Sequence, residues 1–144
     1  MPSVPQLLQF FQAHPYLFAM LGVAVALFVA NEVFGALTAG ARMSPLEAVR
    51  LMNDREAVVV DVRPTADFKK GHLLNAVSLP VAKIDEQAGT LAKDKSKPVL
   101  VYCALGGSAI EAAKQLRKAG YTEVYPLRGG LNGWISANLP ITAK

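Results

Sequence analysis

Between Tyr16 and Ala41 the chain reads YLFAMLGVAVALFVANEVFGALTAGA, a run in which only Asn31, Glu32 and Thr38 are appreciably polar. About 20 helical residues, rising 1.5 Å each, cross a hydrocarbon layer roughly 30 Å thick, so the run has the length of one membrane span. A soluble domain of about 100 residues has no room to enclose so apolar a rod. Pro15 suits a first helical position, where its missing N–H would be unpaired anyway. Ala39-Gly40-Ala41 has the small-residue form of a signal-peptide cleavage site, but no Lys or Arg precedes the apolar run, and a signal peptide opens with positive charge. Residues 15–41 are therefore expected to be an uncleaved transmembrane anchor. Residues 1–41 carry no base and one acid, whereas residues 42–144 carry all fifteen bases and the other ten acids. The positive-inside rule then expects a single-pass protein with its C-terminal domain in the cytoplasm and its N-terminus outside. Ahead of the span, Leu7, Leu8, Phe10 and Phe11 alternate with Gln6, Gln9 and Gln12, which suits a short interfacial segment over residues 1–14. Gly22, Ala26 and Ala30 recur every fourth residue, a small-residue stripe through which the span would meet a membrane-protein partner or a second copy.

Composition narrows the chemistry. Apolar residues make up 52% and charged residues 18% of the 144, which excludes global disorder. One cysteine, Cys103, allows no intramolecular disulfide and no Cys-rich metal site, and two histidines are too few for a zinc site. No metal and no cofactor is implied, and a reducing compartment fits the lone thiol. The bases are scattered with no aromatics interleaved, so nucleic-acid binding is not expected and proximity to anionic lipid is the better use of the charge.

Residues 42–144 read as one α/β domain. Ser44-Pro45-Leu46-Glu47 has the form of a capping box and starts a helix expected to run to about residue 53. Three short apolar runs, residues 57–62, 98–103 and 123–127, have the near-continuous character of strands buried on both faces of a parallel sheet, and residues 76–79 form a shorter fourth. Val81, Ile84, Ala88 and Leu91 fall at helical spacing. Ala109, Ala112, Ala113 and Leu116 line one face of a further helix that Gly120 ends. Such alternation predicts a mainly parallel sheet flanked by helices, with ligands bound beyond the carboxyl ends of the strands.

One strand end carries a nucleophile. Cys103-Ala104-Leu105-Gly106-Gly107-Ser108 lies between a strand and a helix, so the glycines can turn successive backbone N–H groups inward as an anion-binding nest at the positive end of the helix. A thiol placed there is suited to nucleophilic work without a neighbouring histidine. Asp61 and Arg63, at the adjacent strand end, either face this loop or form a structural ion pair. His72 reads as a hydrogen-bonded packing residue and Trp134 as the aromatic anchor of the last helix.

These residues resemble a known family. Residues 61–73, from Asp61-Val62-Arg63-Pro64 to Gly71-His72-Leu73, followed by Asn75-Ala76-Val77-Ser78-Leu79-Pro80, are similar to the N-terminal signature of rhodanese domains. With Cys103, its Gly-Gly loop and the closing Leu127-Arg128-Gly129-Gly130-Leu131-Asn132-Gly133-Trp134, the resemblance covers about residues 44–142. A short anchor ahead of one such domain resembles the small membrane-anchored rhodanese-like proteins of bacteria. The resemblance implies transfer of sulfane sulfur through a persulfide on Cys103. The N–H groups of Ala104, Leu105, Gly106, Gly107 and Ser108 would hold the sulfur, with Arg63 and Asp61 beside them, and a thiol or a protein would accept it. Active members of the family commonly show Cys-x-x-Gly-x-Arg in this loop, and here Ser108 stands where that arginine would. The missing guanidinium argues against a phosphatase and favours, as the alternative, a weakly active or inactive module that binds other proteins at the membrane.

Overall fold

The computed structural model describes residues 3–143 and divides the chain into two compact units, one ending at Thr38 and the other beginning at Ala39. The first holds two helices, α1 (Val4–Ala13) and α2 (Pro15–Ala39). Gln6 accepts from the Ser3 N–H at 3.0 Å at the start of α1. His14 alone separates the helices, and Phe11 stacks on Phe18 with ring centroids 3.6 Å apart. The 20 residues Pro15–Phe34 have a mean hydropathy of 2.1 and none is buried, so α2 is long and apolar enough to cross a membrane.

The second unit is an α/β layer structure: α3 (Pro45–Arg55), β1 (Val58–Asp61), α4 (Thr65–Lys70), β2 (Val77–Ser78), α5 (Ile84–Gln87), β3 (Val99–Tyr102), α6 (Gly107–Lys118), β4 (Val124–Pro126) and α7 (Gly130–Ser136). The capping box forms as expected. The Ser44 N–H donates to the Glu47 carboxylate at 2.8 Å and the Glu47 N–H reaches back to the Ser44 hydroxyl at 3.4 Å. The Ser44 N–H and the Ser44 hydroxyl, which donates to the same carboxylate at 2.7 Å, hold the Glu47 carboxyl below its ordinary pKa. The four strands are parallel in the order β2-β1-β3-β4.

Strand alternation sorts the apolar residues onto two faces. Val60, Val99 and Val101 pack with Ile84, Ala109, Ala112 and Leu116 of α5 and α6. On the other face Val59, Leu100 and Tyr102 pack with Ala48 of α3 and with Leu131 and Trp134 of α7. Covered on both sides, β3 is fully buried, which is why it reads as a continuous apolar run. Trp134 is 3% exposed and donates its indole N–H to the Pro140 carbonyl at 2.9 Å, fastening α7 to the segment that follows it.

One expected helix is broken. Residues 81–91 form a 3-10 turn (Val81–Lys83), the single α-turn of α5 and a second 3-10 turn (Ala88–Thr90). The apolar spacing of i, i+3 that suggested a helix also suits a 3-10 chain, in which residues three apart eclipse. Ile84 and Ala88 are buried and Val81 and Leu91 pack partly buried against the same core, so the apolar positions reach the sheet without a continuous helix.

Candidate active site

Cys103 follows β3 at the carboxyl end of the sheet. Alternation turns its side chain to the α6 face, where it joins Val62 and Val101 in the core at 6% exposure. Asp61 and Tyr102, opposite each other in the β1–β3 register, therefore face the other way. A cavity of about 380 Å³ opens over Cys103. It is lined by Val62, Arg63, Pro64 and Asp67, from the segment that follows β1, and by Ala104, Leu105, Gly107 and Ser108, from the segment that follows β3.

The loop is shaped from outside. The Leu131 N–H donates to the Cys103 carbonyl at 2.8 Å and the Asn132 N–H donates to the Ala104 carbonyl at 3.1 Å. In a trans peptide the carbonyl and the following N–H point in opposite directions. Pinning those two carbonyls to the start of α7 thus turns the N–H groups of Ala104 and Leu105 away from α7, and neither has an acceptor among the described residues. Gly106 then takes φ +105°, a left-handed conformation open to glycine, and sends its N–H to the Cys103 sulfur at 2.9 Å. α6 starts at Gly107, and its first N–H groups have no partner within the helix. Of the N–H groups in this short loop, that of Gly106 is on the sulfur, and those of Ala104 and Leu105 have no acceptor among the described residues. Ser108 is exposed.

The approach of α7 requires Gly130. Its φ is +58°, and a Cβ there would collide with the Cys103 carbonyl oxygen and lie 2.7 Å from that of Ala104. Only a bare backbone lets α7 come this close to the loop.

The structure places Asp61 and Arg63 together. Asp61 is fully buried and does not line the cavity. Its carboxylate accepts from the Arg63 Nη2 at 2.6 Å, from Nε at 3.0 and 3.1 Å, and from the Arg63 backbone N–H at 2.9 Å. The same guanidinium donates to the Gly71 carbonyl at 2.6 Å. The hydrogen bonds to Asp61 raise the Arg63 pKa above its ordinary value. Arg63 lines the cavity with its charge already matched by a buried carboxylate. His72 is a packing residue: its Nδ1–H donates to the Phe68 carbonyl at 2.8 Å, and its ring stacks on Phe68 with centroids 3.8 Å apart. Its backbone pairs with Thr142, tying the C-terminal segment to the domain.

Two parts of the site were not anticipated from sequence. Asp67, in the first turn of α4 beyond the end of β1, lines the cavity. The only local signal for it is that residues following a parallel strand cluster at the ligand-binding end of the sheet. The backbone donors of Leu131 and Asn132 were signalled only by the Gly129-Gly130 pair ahead of them.

Comparison with known proteins agrees with this geometry. Residues 44–137 match the family described as Rhodanese-like domain. The chain is 38% identical over 138 residues to YibN of Escherichia coli (strain K12), covering 94% of this chain and 96% of that protein. It is 41% identical over 93 residues to the thiosulfate sulfurtransferase GlpE of Coxiella burnetii, covering 65% of this chain and 85% of that one. Among solved structures, a rhodanese-related protein of Thermoplasma volcanium superposes with a TM-score of 0.63 at 23% identity over 72% of this chain and 98% of that one, a likeness of fold.

Proposed function

The chain belongs to the family of rhodanese-like domains, and from that premise we propose that it is a membrane-tethered sulfurtransferase carrying sulfane sulfur on Cys103. The observation that carries the reading is the Cys103 sulfur beneath an open cavity, accepting from the Gly106 N–H in a loop where the Ala104 and Leu105 N–H groups have no acceptor among the described residues. Such donors stabilise the charge that develops on a transferred sulfur. The Cys103 thiolate attacks the sulfane sulfur of a donor, the donor's S–S bond breaks, and the leaving group departs with the electron pair. The outer sulfur of the resulting persulfide then lies against the Ala104–Ser108 loop. Attack on it by the thiolate of a small molecule or protein returns Cys103 and completes the transfer.

A second reading has its own support. Ser108 puts no cation in the cavity, and Arg63 is held by Asp61, so donor binding is weak and the domain serves as a protein-binding module. Intact-mass spectrometry of the full chain in detergent separates the two. Gain of one sulfur atom from thiosulfate or a hydropersulfide, absent in Cys103→Ser, is the expected result. No gain from any donor leaves the binding module.

α2 is the membrane anchor in this proposal, crossing the inner membrane once with the domain in the cytoplasm. Its apolar length and the placement of every base beyond it support that orientation. Gly22, Ala26 and Ala30 are exposed along α2, and through them it would pack on another span. Protease added to right-side-out spheroplasts should leave the domain intact, and its digestion would reverse the topology.

A further inference from the structure

The charges around the cavity bear on which sulfur donors can use it, an inference that rests on the sulfurtransferase reading. Besides Cys103, the ionisable residues lining the cavity are Arg63 and Asp67. Arg63 is matched by the buried Asp61 carboxylate, and its Nη2 also serves the Gly71 carbonyl. Among the described residues Asp67 has one ionic partner, Lys70 at 3.2 Å, and the two side chains are 45% and 78% exposed. Exposed pairs of this kind hold together weakly. Asp61, Arg63, Asp67 and Lys70 sum to no net formal charge, and the member of the exposed pair that faces the cavity is the acid. A small dianion entering there meets backbone N–H groups and a carboxylate, without a free cation. Apolar Val62, Pro64 and Leu105 line the same cavity, and Leu105 is 72% exposed.

We propose that Asp67 determines donor specificity, turning the site away from small dianions such as thiosulfate and toward uncharged organic hydropersulfides, R–S–SH, whose carbon chain lies along Leu105, Val62 and Pro64. The Cys103 thiolate attacks the outer sulfur of R–S–SH. The donor's S–S bond breaks, a new S–S bond forms to Cys103, and R–S⁻ leaves with the electron pair while the proton stays on the transferred sulfur. No outside oxidant or reductant is needed. From thiosulfate the same step expels the sulfite dianion, so a double charge must pass Asp67 on entry and again on exit. From an alkyl hydropersulfide a single charge leaves.

The test measures second-order rates of Cys103 persulfide formation by intact mass, on the full chain in detergent, with thiosulfate and with an uncharged alkyl hydropersulfide as probes. The wild type should load faster from the hydropersulfide. Asp67→Asn should raise the ratio of the thiosulfate rate to the hydropersulfide rate about four- to tenfold at low salt. That is the effect of removing one charge about 6–10 Å in water from a dianion, and added salt should shrink it. Lys70→Gln should move the ratio the opposite way. An unchanged ratio in Asp67→Asn, or faster loading of the wild type from thiosulfate, overturns the assignment of Asp67 while leaving the sulfurtransferase reading in place. Failure to load from either donor overturns both.

Discussion

Gly130→Ala tests whether α7 shapes the active-site loop. The new methyl group would force a left-handed φ of +58° on a residue with a side chain, which costs about 1–2 kcal/mol. It would also collide with the Cys103 carbonyl oxygen and lie 2.7 Å from that of Ala104, where real Cβ atoms keep beyond 3.0 Å. Both oxygens would have to retreat, weakening the bonds from Leu131 at 2.8 Å and Asn132 at 3.1 Å, each worth about 1 kcal/mol. The sum is about 3–4 kcal/mol. For a domain of about 100 residues, each kcal/mol moves the melting point by about 4–8 °C, so a fall of at least about 12 °C is expected. The fluorescence of Trp134, the single tryptophan and itself on α7, reports the melt in the full chain. Well below the melt, persulfide formation on Cys103 should also fall, because freeing the carbonyls lets the Ala104 and Leu105 N–H groups rotate out of the cavity. Gly89→Ala is the control: nothing lies within 4 Å of its added Cβ, and its melting point should stay close to that of the wild type. If Gly130→Ala melts with the wild type and loads sulfur as well, α7 does not hold the loop and the account given for the N–H groups is wrong.

Ser108→Arg should raise the efficiency of thiosulfate turnover about 10- to 150-fold, the value of a charge-assisted contact of about 1.5–3 kcal/mol; no change in the steady-state cyanide-dependent assay would show that missing charge does not limit the wild type. Arg63→Gln should act on stability instead, costing about 3–5 kcal/mol in urea unfolding because it leaves the Asp61 carboxylate buried without its partner. Tyr102→Phe carries a pH signature. Burial pushes the Tyr102 phenol above its ordinary pKa of 10.0, so its neutral form is favoured in the folded state, and the stability this confers is full below about pH 10 and lost as pH rises further. The variant should be less stable at neutral pH by about 1–3 kcal/mol, since the Leu73 N–H loses its acceptor at 3.1 Å, yet its unfolding free energy should decline less between about pH 10 and 11.

Features written in adjacent residues were legible in the sequence. The apolar run of α2, the Ser44–Glu47 capping box, the buried strands β1 and β3 and the Cys103 loop before α6 each depend on neighbours along the chain, and each stands where its residues placed it. What depended on partners distant in sequence was not. The strand expected over residues 76–79 shrinks to Val77–Ser78, because as an edge strand it pairs with β1 alone. The choice left open for Asp61 and Arg63 was beyond local reading for a similar reason. The Gly71 carbonyl that completes the Arg63 guanidinium comes from eight residues further on, and the strand pairing with Tyr102 fixes which way Asp61 faces. Asp67 carried no local signal of its own, and only the fold puts it on the wall of the same cavity as Ser108.

The two charged systems at this end of the sheet have different burdens: alternation along β1 and β3 turns Asp61 away from Cys103, while its partner Arg63 lines the cavity. Asp61 and Arg63 form a buried pair in which each carboxylate oxygen and much of the guanidinium is satisfied within the protein, so altering it changes stability before it changes chemistry. Around Cys103 the positive end is made of backbone instead, oriented by two hydrogen bonds to α7 and by Gly106. Backbone donors survive side-chain substitution. Donor preference can therefore be retuned at exposed rim positions such as Asp67 and Ser108 without rebuilding the nest or unfolding the sheet. An arginine lost from the loop weakens the hold on a small anion but leaves the N–H groups that meet the transferred sulfur, and the absence of arginine at residue 108 is for that reason compatible with sulfur transfer from a donor that brings little charge.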